Sequence, residues 1–158
     1  MPNLHYITVT VNGVKVEREV EARRLLGDFL REDLDLHSVH FGCEHGVCGA
    51  CTVHLDGVSV RSCLTFAVQV DGADIRTVES LGQVDNLHPL QQAFREHHAL
   101  QCGYCTPGML MTILDLKQKY SLATEAEIRD GISGNLCRCT GYQNIVSAVQ
   151  DWASKLKL

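Results

Sequence analysis

The sequence predicts an α+β protein, built from a small mixed lobe followed by a small all-helical lobe. In the first half, short apolar runs alternate with polar residues between turn-forming pairs, which indicates a sheet. After Pro89 the apolar residues recur at helical spacing instead. Eight cysteines divide into two groups of four, one in each half. The polar segment 81–88 separates the halves, so we predict domains covering residues 1–80 and 81–158.

The first lobe opens with a predicted hairpin and a short helix. Residues 6–11 alternate between polar and apolar positions, and residues 14–20 return with the same period of two. Asn12-Gly13 between them is a strong turn signal, because both residue types tolerate positive φ. Apolar residues at helical spacing then predict a helix over 25–34. A hairpin followed by a crossing helix is typical of a β-grasp fold.

The middle of this lobe is predicted to be a loop followed by three short strands. Residues 41–51 hold three cysteines and a high density of glycine, which lets backbone N–H groups approach a sulfur or an anion closely. Asp56-Gly57 indicates a second hairpin between strands at 52–56 and 58–61, and residues 75–78 supply a last strand.

The second lobe is predicted to be a four-helix bundle. Leu90 and Phe94 share one helical face, and Pro107 is suited to be the first residue of a helix that continues over 108–119. A capping box over 124–127 opens a helix that ends near Ile132. The last helix is expected over 142–157.

Composition excludes several classes of function. The formal net charge of −5 and the scattered basic residues argue against nucleic acid as the main partner. No apolar stretch approaches the roughly 18 residues of a membrane span. The amino terminus lacks the features of an export signal, so we expect a cytoplasmic protein. Structural disulfides are rare in that reducing compartment, and eight cysteines there indicate metal binding.

The first cysteine group has the spacing C-x4-C-x2-C, with a fourth cysteine after eleven further residues. Its members are Cys43, Cys48, Cys51 and Cys63. This is the spacing of plant-type ferredoxins, and the glycine-rich loop suits the spread charge of a two-iron cluster. Iron–sulfur is therefore favoured over zinc or disulfides. A Rieske centre using His45 and His54 is disfavoured, because its cysteines already belong to a complete all-cysteine set.

The second cysteine group has the less usual spacing C-x2-C, a gap of 31 residues, then C-x-C. Its members are Cys102, Cys105, Cys137 and Cys139. The first pair precedes a predicted helix start at Pro107, and the second pair precedes the last helix. Free N–H groups at helix starts favour an anionic cluster. By spacing alone, zinc stays open at this site.

Three motifs together resemble a known family. They are GCEHGVCGACTVHLDG…SC, QCGYCTPGM and GNLCRCTGY. In this order they resemble the small iron–sulfur subunit of molybdenum hydroxylases, the xanthine dehydrogenase and aldehyde oxidoreductase family. The resemblance covers nearly the whole chain. His40, where lysine is frequent in the family, and the YQNIV segment are most similar to the carbon-monoxide-dehydrogenase-like branch.

The resemblance implies two [2Fe–2S] clusters, one bound by each cysteine group. It implies a plant-type ferredoxin-like domain holding the first and a four-helix domain holding the second. Gln101 is expected to contact a molybdopterin in a large partner subunit, with Cys139 beside it. The pterin would be the cytosine dinucleotide form. FAD would be held by a medium subunit, or a cytochrome would replace it, in a dimer of heterotrimers.

The implied function is electron transfer within a molybdopterin-dependent oxidoreductase. Electrons would pass from the molybdopterin through both clusters to FAD or another acceptor, and the substrate would be an N-heteroaromatic compound, an aldehyde or carbon monoxide. We predict no catalytic residue in this chain, because no nucleophile–base pair stands out. Two alternatives are a free-standing two-cluster ferredoxin and a zinc-stabilised adaptor without a redox role.

Overall fold

The computed structural model describes residues 3–156, in which a five-stranded mixed sheet precedes the main helices. The strands are β1 (Leu4–Val11), β2 (Val14–Glu21), β3 (Thr52–Leu55), β4 (Val58–Arg61) and β5 (Asp74–Arg76). The order across the sheet is β2-β1-β5-β3-β4. Only the β1–β5 pair is parallel, and the other neighbours are antiparallel. The predicted α+β class and both hairpins are confirmed.

The hairpin turn and the helix after it follow from local sequence. Asn12 and Gly13 have φ of 51° and 82°, as the turn requires. α1 (Leu26–Asp28) continues into a π-helical turn (Phe29–Asp33), so the predicted helix exists but is not regular throughout. Its side chains Leu26, Phe29 and Leu30 are fully buried against the sheet. The β-grasp arrangement is therefore the one expected.

The last strand lies earlier than predicted. β5 ends at Arg76, whereas the sequence predicted residues 75–78. Thr77 leaves the sheet because its backbone N–H donates to Asn12 Oδ1 at 2.8 Å. Residues Val78–Ser80 then form a 3-10 turn. Within that turn, the half-buried Glu79 accepts hydrogen bonds from Ser38 and from the Thr77 hydroxyl.

Four helices follow the sheet, as predicted. They are α2 (Pro89–Glu96), α3 (Thr106–Lys119), α4 (Glu125–Gly131) and α5 (Gln143–Lys155). α3 begins one residue earlier than expected, with Pro107 as its second residue. The capping box of α4 is present, since Glu127 N donates to Thr124 Oγ1 at 3.2 Å. The predicted end of the last helix, residue 157, lies outside the described residues. In residues 3–156 no helix is long and apolar enough to cross a membrane.

Each lobe has its own apolar core. One core is formed by the sheet and α1, and the other by α2 to α5 around Phe94, Met109 and Trp152. The partly buried Val78 and Leu81 already pack against the helical core, so the chain enters the second lobe close to the predicted boundary. The division at residue 81 stays a prediction.

Polar bonds fasten α3 to the sheet. His54, buried in β3, bonds through Nε2 to the Met111 carbonyl at 2.6 Å. Ser59 in β4 donates to Asp115 Oδ2 at 2.6 Å, and Lys119 donates to the same oxygen at 2.8 Å. Burial would raise the pKa of Asp115, but these donors outweigh it and lower the pKa. α3 therefore links the two lobes and carries Cys105 at its start.

Candidate metal centres

The first cysteine group gathers at one end of the sheet. Cys43, Cys48 and Cys51 lie on the loop that leads into β3, and Cys63 lies on a 3-10 turn directly after β4. Cys51 and Cys63 are 2% and 3% exposed, whereas Cys43 and Cys48 are only partly buried. The hairpin of β3 and β4 thus brings the fourth cysteine back to the loop that holds the other three.

The four sulfurs of this group have unequal surroundings. The Cys48 N–H donates to Cys43 Sγ at 3.3 Å, and other loop N–H groups also donate there. Donors that face the thiolate favour it, so the pKa of Cys43 falls to about 6. Burial, and then a hydrogen bond with Cys51, raises the pKa of Cys63 to about 11. The group therefore comprises an outer pair near the surface and an inner pair in the core.

The second cysteine group is divided in the same way. Cys102 and Cys139 are exposed, and their sulfurs lie 3.5 Å apart. Cys105 and Cys137 are half-buried neighbours. Burial, and then a hydrogen bond with Cys137, raises the pKa of Cys105 to about 12. Burial opposes the Cys137 thiolate, but the Thr140 hydroxyl, which donates to Cys137 Sγ at 3.1 Å, helps to lower its pKa.

The arrangement of thiols suits two-iron clusters. All eight cysteines are free, and each group consists of two pairs. A [2Fe–2S] cluster takes four thiolates shared between two irons, so paired thiols fit it better than they fit one zinc ion.

Both histidines of the Rieske alternative have other partners. His45 Nδ1 contacts the carbonyl of Cys43, and His54 Nε2 bonds to the carbonyl of Met111 between the lobes. His54 therefore serves the junction with α3, and the all-cysteine interpretation of the first group is favoured.

The two groups are joined by backbone and amide contacts. The Leu136 N–H, one residue before Cys137, donates to the Cys48 carbonyl at 2.8 Å. Asn135, 1% exposed, donates from Nδ2 to the Gly49 carbonyl at 3.1 Å. Its Oδ1 accepts from the Thr112 hydroxyl at 3.0 Å. One hydrogen bond thus connects a cysteine of the first group to the neighbour of a cysteine of the second.

This junction requires glycine on both sides. A Cβ on Gly49 would lie 2.5 Å from the Gly134 carbonyl oxygen, and Gly49 has φ of +73°. A Cβ on Gly108, in the first turn of α3, would lie 2.3 Å from the Gly49 carbonyl oxygen. The loop of the first group and α3 therefore meet backbone to backbone, with no room for a side chain between them.

Comparisons with known proteins agree with this geometry. Residues 9–77 match the family model described as a 2Fe-2S iron-sulfur cluster binding domain, and residues 77–150 match the [2Fe-2S] binding domain. The chain is 56% identical over 149 residues to the caffeine dehydrogenase subunit gamma of Pseudomonas sp. (strain CBB1), covering 92% of this chain and 89% of that protein. The chain belongs to the iron–sulfur subunits of the molybdenum hydroxylases. The predicted xanthine dehydrogenase and aldehyde oxidoreductase family is thus confirmed.

Two further relatives of this iron–sulfur subunit match along nearly their whole length. It is 55% identical over 145 residues to the nicotine 6-hydroxylase small subunit of Paenarthrobacter nicotinovorans, covering 92% of this chain and 87% of that protein. The crystal structure of quinoline 2-oxidoreductase from Pseudomonas putida 86 contains a chain with a TM-score of 0.93 and 47% identity. That match covers 98% of this chain and 97% of the other.

Gln101 lies at the exposed edge of the second group. Its Nε2 donates to the Cys139 carbonyl at 3.0 Å, and both residues are exposed. The iron–sulfur subunit thus brings together the two residues that the family resemblance places beside a pterin. Their contact with a pterin stays a prediction.

A second bridge between the groups was not recognised from the sequence. The ring of Tyr104, which lies between Cys102 and Cys105, stacks on the His40 ring with centroids 4.5 Å apart. The Tyr104 hydroxyl also donates to the Phe41 carbonyl at 2.8 Å, and His40 Nδ1 lies 2.7 Å from the Tyr104 carbonyl oxygen. The histidine that departs from the family's usual lysine therefore holds the second cysteine segment against the first.

Proposed function

We propose that this chain relays electrons from the molybdopterin of a large partner subunit to FAD or another acceptor. Membership among iron–sulfur subunits of molybdenum hydroxylases supports an electron-transfer role. The observation that carries the proposal is the pairing of eight free thiols in two groups, linked by the hydrogen bond from Leu136 N to the Cys48 carbonyl. We assign the chain no catalytic residue acting on substrate.

We propose one [2Fe–2S] cluster at each cysteine group. The ligands of the first are Cys43, Cys48, Cys51 and Cys63. The ligands of the second are Cys102, Cys105, Cys137 and Cys139. A bound cluster supplies one-electron redox chemistry, at a potential set by hydrogen bonds to its sulfurs and by solvent exposure.

Within each site, the chain's own residues have distinct tasks. Loop N–H groups donate to Cys43 Sγ and favour negative charge there. The Thr140 hydroxyl does the same at Cys137 Sγ. The buried pair Cys51 and Cys63 keeps the inner side of the first site away from water. The path through Leu136 crosses one hydrogen bond between the sites, and the backbones of Gly49 and Gly108 meet closely beside it.

Exposed apolar side chains lie near cysteines of both groups in the sequence. Leu100 and Leu136, which are 41% and 52% exposed, lie beside cysteines of the second group in the sequence. Val47 and Leu64, which are 55% and 60% exposed, lie beside cysteines of the first. Apolar residues exposed beside a functional site are typical of partner surfaces. Such residues support contact with partner subunits near both cysteine groups.

The family resemblance implies a larger assembly. We propose that Gln101 and Cys139 face the molybdopterin, in its cytosine dinucleotide form, within the large subunit. The first site would face FAD in a medium subunit, in a dimer of heterotrimers in the cytoplasm. The exposure of Gln101 and Cys139 at one edge supports the first contact.

We propose an N-heteroaromatic substrate for the complete enzyme. Three relatives that match this chain over most of their length are named for caffeine, nicotine and quinoline. Each of these compounds contains a nitrogen heterocycle, and none is a simple aldehyde. The substrate pocket lies on the large subunit in this proposal, so the small subunit supports the assignment only through its relatives.

Purification of the native complex tests this function. A tagged chain is expected to bring with it a large, molybdenum-containing subunit, and to contain about four irons per chain. The complex should oxidise N-heteroaromatic compounds, purines such as caffeine included, faster than aldehydes or carbon monoxide. A stable monomer with four irons and no molybdenum-containing partner would favour the free-standing ferredoxin. A colourless zinc protein would refute both.

Cysteine variants test the ligand assignment. Cys51→Ser should remove one of two paramagnetic signals from the reduced protein, and Cys105→Ser should remove the other. Each variant serves as the control for the other, since the remaining signal shows that the chain still folds. If both substitutions left the same spectrum, the division of the ligands into two sites would be wrong.

A further inference from the structure

A threonine directly follows each of the two cysteine motifs of the second group, C-x2-C and C-x-C. The two segments read Cys105-Thr106 and Cys139-Thr140. The first threonine is also the first residue of α3, and the second lies just before α5. The sequence therefore places a hydroxyl at the same position relative to each half of the site.

Thr140 shows what a hydroxyl does at this position. Its Oγ1 accepts a hydrogen bond from the Tyr142 N–H at 3.1 Å. Its own proton is therefore free for the other contact that the structure shows, a donation to Cys137 Sγ at 3.1 Å. A threonine of the second site thus already acts as a donor to a ligand sulfur.

Thr106 also carries a hydroxyl, and no group among residues 3–156 accepts a hydrogen bond from it. Its Oγ1 is buried, and no protein group bonds to it. Buried hydroxyls in native proteins nearly always have a partner, because an unpaired one loses its bonds to water without compensation. The other unpaired buried side-chain atoms in the described part of the chain are Asp115 Oδ1 and Trp152 Nε1. Neither of these residues adjoins a cysteine in sequence.

The group expected beside Cys105 supplies such an acceptor. A [2Fe–2S] cluster carries negative charge on its bridging sulfides and on its ligand sulfurs, and these accept hydrogen bonds from the protein. Resting on the proposed function, we propose that the Thr106 hydroxyl donates a hydrogen bond to a sulfur of the second cluster. The cluster gains negative charge on reduction, so this bond is stronger in the reduced state and raises the reduction potential.

Two substitutions in the full complex separate the hydroxyl from the shape of the side chain. Thr106→Val replaces the hydroxyl with a methyl group and keeps the branched side chain, while Thr106→Ser keeps the hydroxyl. A redox titration with dithionite, followed by electron paramagnetic resonance, measures both clusters in one sample. Thr106→Val should lower the equilibrium constant for reducing the second cluster about tenfold, equivalent to about 59 mV for one electron. Thr106→Ser should stay close to the wild type.

The same spectra contain the controls. The first cluster should keep its potential in both variants, because Thr106 lies in the second site. Thr140→Val, which removes a donor that the structure shows, should also lower the potential of the second cluster. Pulsed measurement in heavy water adds an independent readout. Thr106→Val should lose one exchangeable proton coupled to the second cluster, and Thr106→Ser should retain it.

The outcomes separate this inference from the proposed function. Two signals in the wild type, with potential and proton couplings unchanged in Thr106→Val, would overturn the inference and place the hydroxyl proton elsewhere, for example on a buried water. A wild type without two cluster signals would refute the proposed function itself. If Thr106→Val failed to take up iron, Thr106→Ala would provide the same comparison with a smaller side chain.

Discussion

Replacing Gly108 with alanine at the junction of the lobes has two effects that oppose each other, a gain in helix propensity and a steric clash. Gly108 lies in the first turn of α3, where alanine is the better helix former by about 1 kcal/mol. Helix propensity therefore predicts a stabilised variant. The added methyl carbon, however, would lie 2.3 Å from the Gly49 carbonyl oxygen and 2.9 Å from the Ala50 carbonyl oxygen. Both contacts are with backbone atoms, which cannot rotate away.

The size of the effect follows from the contacts that the methyl group disturbs. To restore ordinary van der Waals distance, α3 must move from the loop by about 1 Å. That shift stretches three bonds that α3 makes to other segments, with His54, Ser59 and Asn135. At about 1 kcal/mol for each bond, the loss is about 3 kcal/mol, which the helix propensity reduces to about 2 kcal/mol. For a chain of this size the melting temperature should fall by about 4–8 °C.

Thermal unfolding of matched variants measures this loss. Gly134→Ala is the control, because its added methyl would meet only the end of the flexible Arg61 side chain, at 2.9 Å. We expect Gly134→Ala to unfold close to the wild type and Gly108→Ala to unfold several degrees lower. In the reduced complex, the magnetic coupling between the two paramagnetic centres should also weaken in Gly108→Ala. A Gly108→Ala variant as stable as the wild type would refute the backbone contact as described.

Three further predictions concern the same framework. Burial would raise the pKa of Glu79, but hydrogen bonds from hydroxyl groups outweigh it and lower the pKa. The ionised Glu79 therefore stabilises the fold fully above the pKa of an unfolded carboxyl group. This stabilisation is lost as the pH falls through the lower pKa of the folded state. Acid unfolding of Glu79→Gln should therefore depend less on pH than that of the wild type, and equal slopes would contradict this. Asn135→Leu should lower the free energy of unfolding in urea by about 2 kcal/mol, because the Gly49 carbonyl loses a donor within the protein. Tyr104→Phe should cost less than about 1 kcal/mol and Tyr104→Ala more, because only alanine also removes the stacking on His40. The reverse order of melting temperatures would rule out the stacking as a stabilising contact.

The cysteine groups could be predicted because most of their members lie close together in the sequence. The spacing from Cys43 to Cys51 lies within nine residues, and a strong hairpin signal at Asp56-Gly57 accounts for the return of Cys63. Hairpins and capped helices likewise depend on neighbouring residues, so most elements were placed within one or two positions. The shift of β5 has a distant cause, because the side chain of Asn12, 65 residues away, draws Thr77 out of the sheet.

The junction between the lobes could not be predicted in this way. His54 stands in an alternating strand pattern, and nothing in that pattern shows that its partner is Met111. Asn135 resembles an ordinary helix-ending residue until α3 and the first loop come together around it. Gly49 was expected to aim its N–H toward sulfur, but its requirement is the close approach of a second backbone. These features depend on tertiary packing, which local periodicity does not record.

The bond between Asn135 and Gly49 also sets an order of events during synthesis of the chain. Its partners are 86 residues apart, so at roughly 5–20 residues per second the loop waits roughly 4–17 s for its partner. From the translation of Cys63 until that of Asn135, all four thiols of the first group exist, while the segment that will cover their loop does not. A newly made chain therefore offers its first cysteine group to the delivery of iron and sulfide from a side that the finished protein closes.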